Sequence, residues 1–170
     1  MSKRTIPIEW LREHFSYDPE SGVLVQIKHY NIYRKRELGA PIGSVNKHHG
    51  YVEAHIDGVL HRVHRVIWAW QFGYWPEVEI DHKNLDRSDN RLCNLRLATK
   101  SQNMRNGRAQ RNSKSGIRGV SYSVRYGTWV AQWEYEGKQV HRNFPTKRAA
   151  IEARNEAVKK YYGGFGVLTC

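Results

Sequence analysis

The residues best suited to chemistry stand at Asp81 and His82, where an apolar run gives way to a polar loop. Carboxylate and amide oxygens are hard ligands that suit Mg²⁺, which also keeps several waters. A histidine with an ordinary pKa of about 6.5 is neutral near pH 7 and can take a proton from water. The pair predicts metal-assisted hydrolysis, with Asp81 on the metal and His82 as the general base.

Three elements have to position these groups. We expect a strand that ends on Asp81 and His82, a polar loop, a second strand at 95–98 and then a helix. Successive side chains of a strand point to opposite faces, which separates the roles of Asp81 and His82. Thr99 and Gln102 have the spacing of a capping box, so the helix begins after Thr99 and could present an amide to the same cation.

The segment from Glu79 to Asn103 resembles the HNH endonucleases, whose ββα-metal motif has Asp-His on the first strand, Asn in the loop and His or Asn on the helix. The resemblance implies that Asp81 binds the metal and that His82 is the general base. It also implies that Asn94 braces the loop and orients the histidine, and that Asn103 is the helical metal ligand.

An asparagine at the helical position is similar to the HNH variant of phage and intron homing endonucleases. Because an amide oxygen suits Mg²⁺, we expect Mg²⁺ or Mn²⁺ and no other small-molecule cofactor. Asn106 lies one helical turn beyond Asn103 and is a rival for the same role.

The composition points to a polyanionic partner. The net charge is +12, and it rises along the chain. Residues 1–80 have 10 Lys and Arg against 9 Asp and Glu, residues 81–112 have 8 against 3, and residues 113–170 have 10 against 4. A basic surface that begins at the motif and continues beyond it is the footprint expected for DNA, although RNA or anionic lipid would fit charge alone.

Other compartments and cofactors find little support in the sequence. No apolar run approaches a membrane span, and the residues after Met1 give no signal-peptide core. The two cysteines, Cys93 and Cys170, form no C-x-x-C pair, which argues against structural zinc and fits a reducing compartment. We expect a cytoplasmic protein, in the bacterial host cytoplasm if it is phage-encoded.

The stretch before the motif predicts a small structural framework. We expect a helix at 5–15, a turn at 16–22, a strand at 23–27, an antiparallel meander at 42–63 with its turn at Asp57-Gly58, and a helix at 64–72. Arg65, from a His-Arg pair that the family often has at this point, could contact a phosphate.

The segment after the motif is basic and nearly free of large apolar residues, so it cannot form a core. Arg105, Arg108 and Arg111 recur every three residues and could follow a DNA backbone. We interpret residues 109–115 as a linker.

Residues 116–170 predict a second module. Three strands are expected at 119–125, 128–135 and 138–144, followed by a helix at 147–161 that is capped by Thr146. By alternation, Trp129, Ala131, Trp133 and Tyr135 share the face toward the helix, and Gln132 faces outward.

This module resembles the AP2 DNA-binding domain through Arg118-Gly119-Val120, Trp129-Val130-Ala131, Phe144 and the alanines of the helix. The resemblance implies a sheet that lies in the major groove. The residues expected to contact DNA in this module are Arg118, Arg125, Gln132, Lys138 and Arg142.

The whole chain therefore predicts an α+β fold. It comprises a ββα-metal nuclease domain preceded by a small antiparallel meander (1–108), a basic linker (109–115), and an AP2-like three-stranded sheet with one helix (116–170).

The function predicted is that of a metal-dependent HNH endonuclease, of phage homing type, that hydrolyses phosphodiester bonds in double-stranded DNA. The alternatives are a DNA-binding regulator that retains the fold without catalysis, and a restriction or packaging-associated nuclease. A monomer would nick DNA, whereas a weak homodimer could cut both strands.

Overall fold

The computed structural model describes residues 5–30, 37–107, 113–163 and 165. The chain divides into two compact units, Met1–Ala98 and Thr99–Cys170. Helices and small antiparallel sheets occur in both, which agrees with the predicted α+β class. Within the described ranges no helix has the length and apolar character needed to cross a membrane.

The first unit contains two helices and three small sheets. Its elements are α1 (Ile8–His14), β1 (Phe15–Asp18), β2 (Val23–Gln26), β3 (Ser44–Val45), β4 (Val52–Ile56), β5 (Val59–Arg62), α2 (Val63–Phe72), β6 (Glu79–His82) and β7 (Leu95–Ala98). β1 pairs with β2, β6 pairs with β7, and β4 lies between β3 and β5, all antiparallel.

One core joins these elements, and it includes buried residues of α1, β1, β2, β4, α2, β6 and β7. Leu11, Phe15, Val66 and Ile67 are almost completely buried in it. α2 ends where Gly73 takes the left-handed conformation, as the sequence predicted. This core supports the strands β6 and β7.

The predicted turn at 16–22 is wrong in its first half. Residues 15–18 form β1, and the turn comprises only residues 19–22. Turn chemistry in the sequence begins at Pro19, whereas β1 exists because Phe15 to Asp18 pair with β2, a partner that local propensity does not show.

The second unit begins with the helix of the motif. Its elements are α3 (Lys100–Arg105), β8 (Val120–Ser123), β9 (Thr128–Tyr135), β10 (Lys138–Phe144) and α4 (Lys147–Tyr161), with β9 between β8 and β10. The Thr99 side chain accepts a hydrogen bond from the Gln102 backbone amide, and the Gln102 side chain accepts one from the Thr99 backbone amide. The predicted capping box is therefore present. Thr146 caps α4 in the predicted way.

The sheet of the second unit packs one face on α4. Ala131 and Trp133 are buried there together with Ala150 and Ala157 of the helix, as the alternation in β9 predicted. Tyr135 lies at the edge of this face, with its ring 4.5 Å from that of Tyr161. The likeness of this sheet to an AP2 domain stays a prediction.

Candidate active site

The pairing of β6 with β7 determines the surroundings of Asp81. Asp81 lies directly opposite Arg96, and its Oδ2 accepts hydrogen bonds from Nε at 2.8 Å and from Nη2 at 2.7 Å. Only 4% of Asp81 is exposed. A carboxylate removed from water needs such a partner, and Arg96 provides it.

His82, on the opposite side of the strand, is also buried. Its Nε2 is 3.2 Å from Oδ1 of Asn90. Because an amide oxygen only accepts, Nε2 carries the proton and the basic lone pair is on Nδ1. Burial lowers the pKa of His82 despite the opposing effects of Asn90 and Asp81, and the ring is therefore neutral at pH 7.

A second histidine lies against the first. The ring of His64, from α2, meets that of His82 edge to face at 5.0 Å between centroids. Burial is the largest cause that lowers the pKa of His64 to about 2, and the positive charges of a protonated His82, of Arg62 and of Arg65 act in the same direction. His64 is therefore neutral at pH 7. It packs beside His82 without placing a second positive charge there.

Asn94 holds the loop between the two strands. Its Oδ1 accepts from the Asn84 amide at 2.9 Å, its Nδ2 donates to the carbonyl of Asp89 at 2.8 Å, and its carbonyl accepts from the Lys83 amide. These contacts hold the loop between β6 and β7, and the part that Asn94 plays in catalysis stays a prediction. The ring of His82 instead donates its hydrogen bond to Asn90, a partner that the sequence reasoning did not identify.

The same loop contains a second set of internal bonds around Asp89. This carboxylate accepts from Arg91 at 2.7 and 2.8 Å and from Asn84 at 2.7 Å. The hydrogen bond from Arg91 is the main cause that lowers the pKa of Asp89 to about 2. The loop is thus held by its own side chains on both sides of Asn90.

The hairpin of β1 and β2 supports this loop from outside. The Tyr17 hydroxyl donates to the Asn90 carbonyl at 2.9 Å, and the Leu92 amide donates to the Pro19 carbonyl at 3.2 Å. Gly22 has a φ of +74°, and a Cβ there would lie 2.5 Å from the Arg91 nitrogen. The turn can approach the loop this closely because it has a glycine.

Two arginines lie over an aromatic ring next to the histidines. The guanidinium carbons of Arg62 and Arg87 are 4.5 and 4.9 Å from the ring centre of Tyr51. That ring is 5.8 Å from the ring of His82. Both arginines are exposed, so their positive charge is accessible to an anion. The Tyr51 ring that they contact is also the neighbour of the His82 ring. Nothing in the sequence brings these three positions together, because they come from separate elements.

The residues present suit a hard cation with few protein ligands. Asp81 supplies a carboxylate at a position that binds a guanidinium in this structure, so the position favours positive charge. Among the described ranges, no group of three or more His, Cys, Asp and Glu could hold a metal. Mg²⁺ tolerates so small a set because it retains waters and takes substrate phosphate oxygens.

The predicted helical ligand lies in the second unit. Asn103 is half-buried on α3, whereas Asn106, its rival, is almost completely buried just after the helix. Both asparagines stay predictions for the helical metal ligand.

Arg65 and Arg105, two of the predicted DNA contacts, have protein partners in the structure. Arg65 donates to the carbonyls of Pro76 and Val78, so its guanidinium holds the segment after α2. Arg105 donates to Glu134 of β9 at 3.0 Å. Both side chains have structural partners that a regular spacing of arginines does not reveal. Arg108 and Arg111 lie outside the described residues.

The residues predicted to contact DNA from the sheet do not share one face. Gln132 is exposed on the face opposite α4. The register pairs Lys138 with Tyr135 and Arg142 with Ala131, which puts both cations on the face that carries α4. Arg142 lies over the Trp133 ring at 5.7 Å. Arg125 is exposed in the turn before β9, and Arg118 is half-buried.

Comparison with known proteins gives one match. Residues 61–105, from the end of β5 through α3, match the model of a family described as HNH endonuclease. Searches of curated proteins and of solved structures found no match. The family match supports a nuclease that acts on DNA and contains all four residues of the predicted motif. It does not extend to residues 116–170.

Proposed function

We propose that the protein is a metal-dependent endonuclease that hydrolyses phosphodiester bonds in double-stranded DNA, with His82 as general base. The observation that carries the proposal is the state of His82. A buried neutral imidazole, held through Nε2 by Asn90 and adjacent to a carboxylate, is what proton abstraction requires.

In the proposed reaction Nδ1 of His82 takes a proton from water, and the water oxygen attacks phosphorus. The bond from phosphorus to the 3′ oxygen breaks, and that oxygen leaves with a proton from solvent. Asn90 holds the ring during this transfer. Arg62 and Arg87 offset the negative charge that grows on the phosphate.

We assign the carboxylate ligand of a divalent ion to Asp81, and Asn103 remains the amide ligand that the HNH resemblance implies. When bound, Mg²⁺ or Mn²⁺ would act as a Lewis acid on the phosphate oxygens. Arg96 would then have to share Asp81 with the ion or release it. We further propose that the second unit selects the site on DNA and that the biological role is homing of phage type.

One observation favours a second candidate, a DNA-binding regulator without catalysis. The Asp81 carboxylate forms an ion pair with Arg96 at 2.7 Å, and a protein that never binds a metal would need this pair to keep its core intact. The two candidates differ in what His82 does, because binding alone needs no base.

The test compares His82→Ala with His55→Ala, an exposed histidine on β4 of the same unit. Cleavage in Mg²⁺ and affinity for an uncleaved duplex in EDTA are measured for each. We expect His82→Ala to lose at least about 100-fold in cleavage rate with little change in affinity, and His55→Ala to behave as the wild type. Equal losses of cleavage and affinity in His82→Ala would count against the general-base assignment.

A further inference from the structure

A basic groove runs along α3 in the second unit. Its volume is about 1010 Å³, and its walls come from α3, from residues 113–122 and from β9. Glu134 is the one acidic residue among the described residues that line it. Its cationic lining residues are Lys100, Arg105, Lys114, Arg118 and Arg154.

The single carboxylate does not neutralise this groove. Glu134 is bound by Arg105, whose guanidinium also lies 5.1 Å from the ring centre of Tyr162. The remaining cations therefore give the groove a positive charge that Glu134 has no capacity to offset. Lys100 and Lys114 are exposed, so this charge is accessible to a ligand.

The fold holds two of these arginines in place. Arg154 of α4 is 3% exposed, and it packs under Gly119, where a Cβ would lie 3.5 Å from its Nε. Arg118 packs on Gly107, where a Cβ would lie 2.6 Å from its Nη1. The charge of Arg118 adds to burial in lowering the pKa of Arg154. Both arginines therefore contribute positive charge to the groove lining from positions that packing holds.

We propose that this groove, which includes the outward-facing Gln132 and Glu134 of β9, binds the phosphate backbone of DNA. The five cations that line the groove exceed what one small anion can pair with, whereas the successive phosphates of a strand supply several negative charges. The bound strand lies against α3, the helix that carries Asn103. The inference takes from the proposed function only that the nucleic acid is DNA.

The first experiment compares two double variants of the full chain, each of which removes two positive charges. Lys100→Gln with Lys114→Gln changes the groove, and Lys159→Gln with Lys160→Gln changes exposed positions on α4 that do not line it. Binding of a labelled 30-base-pair duplex is measured in EDTA at several salt concentrations.

We expect the groove variant to bind about 10- to 30-fold more weakly near physiological salt. Its slope of log affinity against log salt should become shallower by about 2, since each phosphate contact contributes about 0.9. The α4 variant should stay within about twofold of the wild type. Equal losses in the two variants would overturn the proposal, because they would show a general effect of net charge.

The second experiment seeks a gain that an unfolded variant does not produce. Glu134→Gln releases Arg105 to the phosphates, so affinity should rise several-fold and the salt slope should steepen by about 1. Glu136→Gln, an exposed acid in the next turn, is the control and should have a smaller effect. A gain no larger than that of the control would contradict the proposal.

These measurements separate the groove from the nuclease reaction, because none of them needs metal or cleavage. Groove variants that lose binding while the wild type fails to cut its target would support the groove and reject the nuclease. A cutting wild type with groove variants of unchanged affinity would do the reverse. Binding of mant-ATP that the groove variants abolish, with DNA affinity unchanged, would assign the groove to free nucleotides and overturn the proposal.

Discussion

At the scale of single residues, burial and one amide set the chemical state of His82. The ring is removed from water, which disfavours its charged form, and Asn90 defines which nitrogen carries the proton. His64 adds an apolar contact without adding charge. Asn90, which hydrogen-bonds the ring of His82, thus stands outside the four residues of the predicted motif.

Asn90→Ala should lower the cleavage rate by about 10- to 100-fold and leave DNA affinity unchanged. The physical reason is that the ring of His82 loses the acceptor that fixes its tautomer and orientation. Single-turnover rates in Mg²⁺ and affinity in EDTA measure the two effects. Asn90→Asp keeps an acceptor at the same place and should recover part of the rate, so equal losses in both variants would contradict this role.

Arg96→Met should destabilise the fold by about 3 kcal/mol, because it leaves a buried carboxylate without its cation. If Asp81 also binds a divalent ion, Mg²⁺ or Mn²⁺ should raise the melting temperature of this variant more than that of the wild type. Thermal unfolding with and without metal measures both effects. The double variant Arg96→Met with Asp81→Asn lacks this carboxylate, so metal should no longer raise its melting temperature. A rise that persists would place the ion elsewhere.

At the scale of elements, the β1–β2 hairpin has a function that its sequence does not suggest. Its turn and Tyr17 contact the backbone of residues 90–92, so the hairpin fixes the loop that positions Asn90. An N-terminal segment that looks like a short structural lead-in thereby supports the candidate active site.

Gly22→Ala tests this support. A Cβ at Gly22 would lie 2.5 Å from the Arg91 nitrogen and 2.7 Å from the Asn90 carbonyl carbon, so the loop has to move. We expect a loss of about 2 kcal/mol beyond the strain of a left-handed alanine, together with slower cleavage. Gly58→Ala, at a φ of +77° with nothing within 4 Å, carries that strain alone. Urea unfolding measures the stability of the two variants, and cleavage assays measure their rates. Equal stabilities and equal cleavage rates would refute the role of the hairpin.

The sequence predicted the elements whose signals are local. The capping box of α3, the Asp57-Gly58 turn and the end of α2 at Gly73 all depend on neighbouring residues, and the structure contains each of them. Asp81 with Arg96 and His82 with Asn90 depend on strand register and loop conformation, which neighbouring residues do not determine.

The face on which Lys138 and Arg142 lie could also be predicted from the sequence. Lys138, Val140, Arg142 and Phe144 are two residues apart along β10, so all four lie on one face of the strand. The two apolar residues among them pack toward α4. The same alternation that correctly assigned the faces of β9 therefore places both cations beside the helix.

At the scale of the whole molecule, α3, the helix predicted to complete the nuclease motif, belongs to the same compact unit as the proposed DNA-binding sheet. α3 is held there by the ion pair of Arg105 with Glu134 and by the contact of Arg105 with Tyr162. A motif that is continuous in sequence is thus divided between two units.

Truncation after Asn112 should remove cleavage as well as site preference, because α3 loses Glu134 and Tyr162. The first unit has its own core and should stay folded. Circular dichroism measures the fold, and plasmid relaxation measures cleavage. A folded truncated protein that cuts at the wild-type rate would show that α3 needs no partner from residues 113–170.

The central claim is metal-dependent hydrolysis of DNA by a site built on Asp81 and His82. Its most direct test is incubation of supercoiled plasmid containing the natural target with the wild type and His82→Ala, in Mg²⁺, Mn²⁺ or EDTA. We predict relaxed or linear product from the wild type with metal, none in EDTA, and almost none from His82→Ala. Product that forms in EDTA, or that forms equally with both proteins, would contradict the claim.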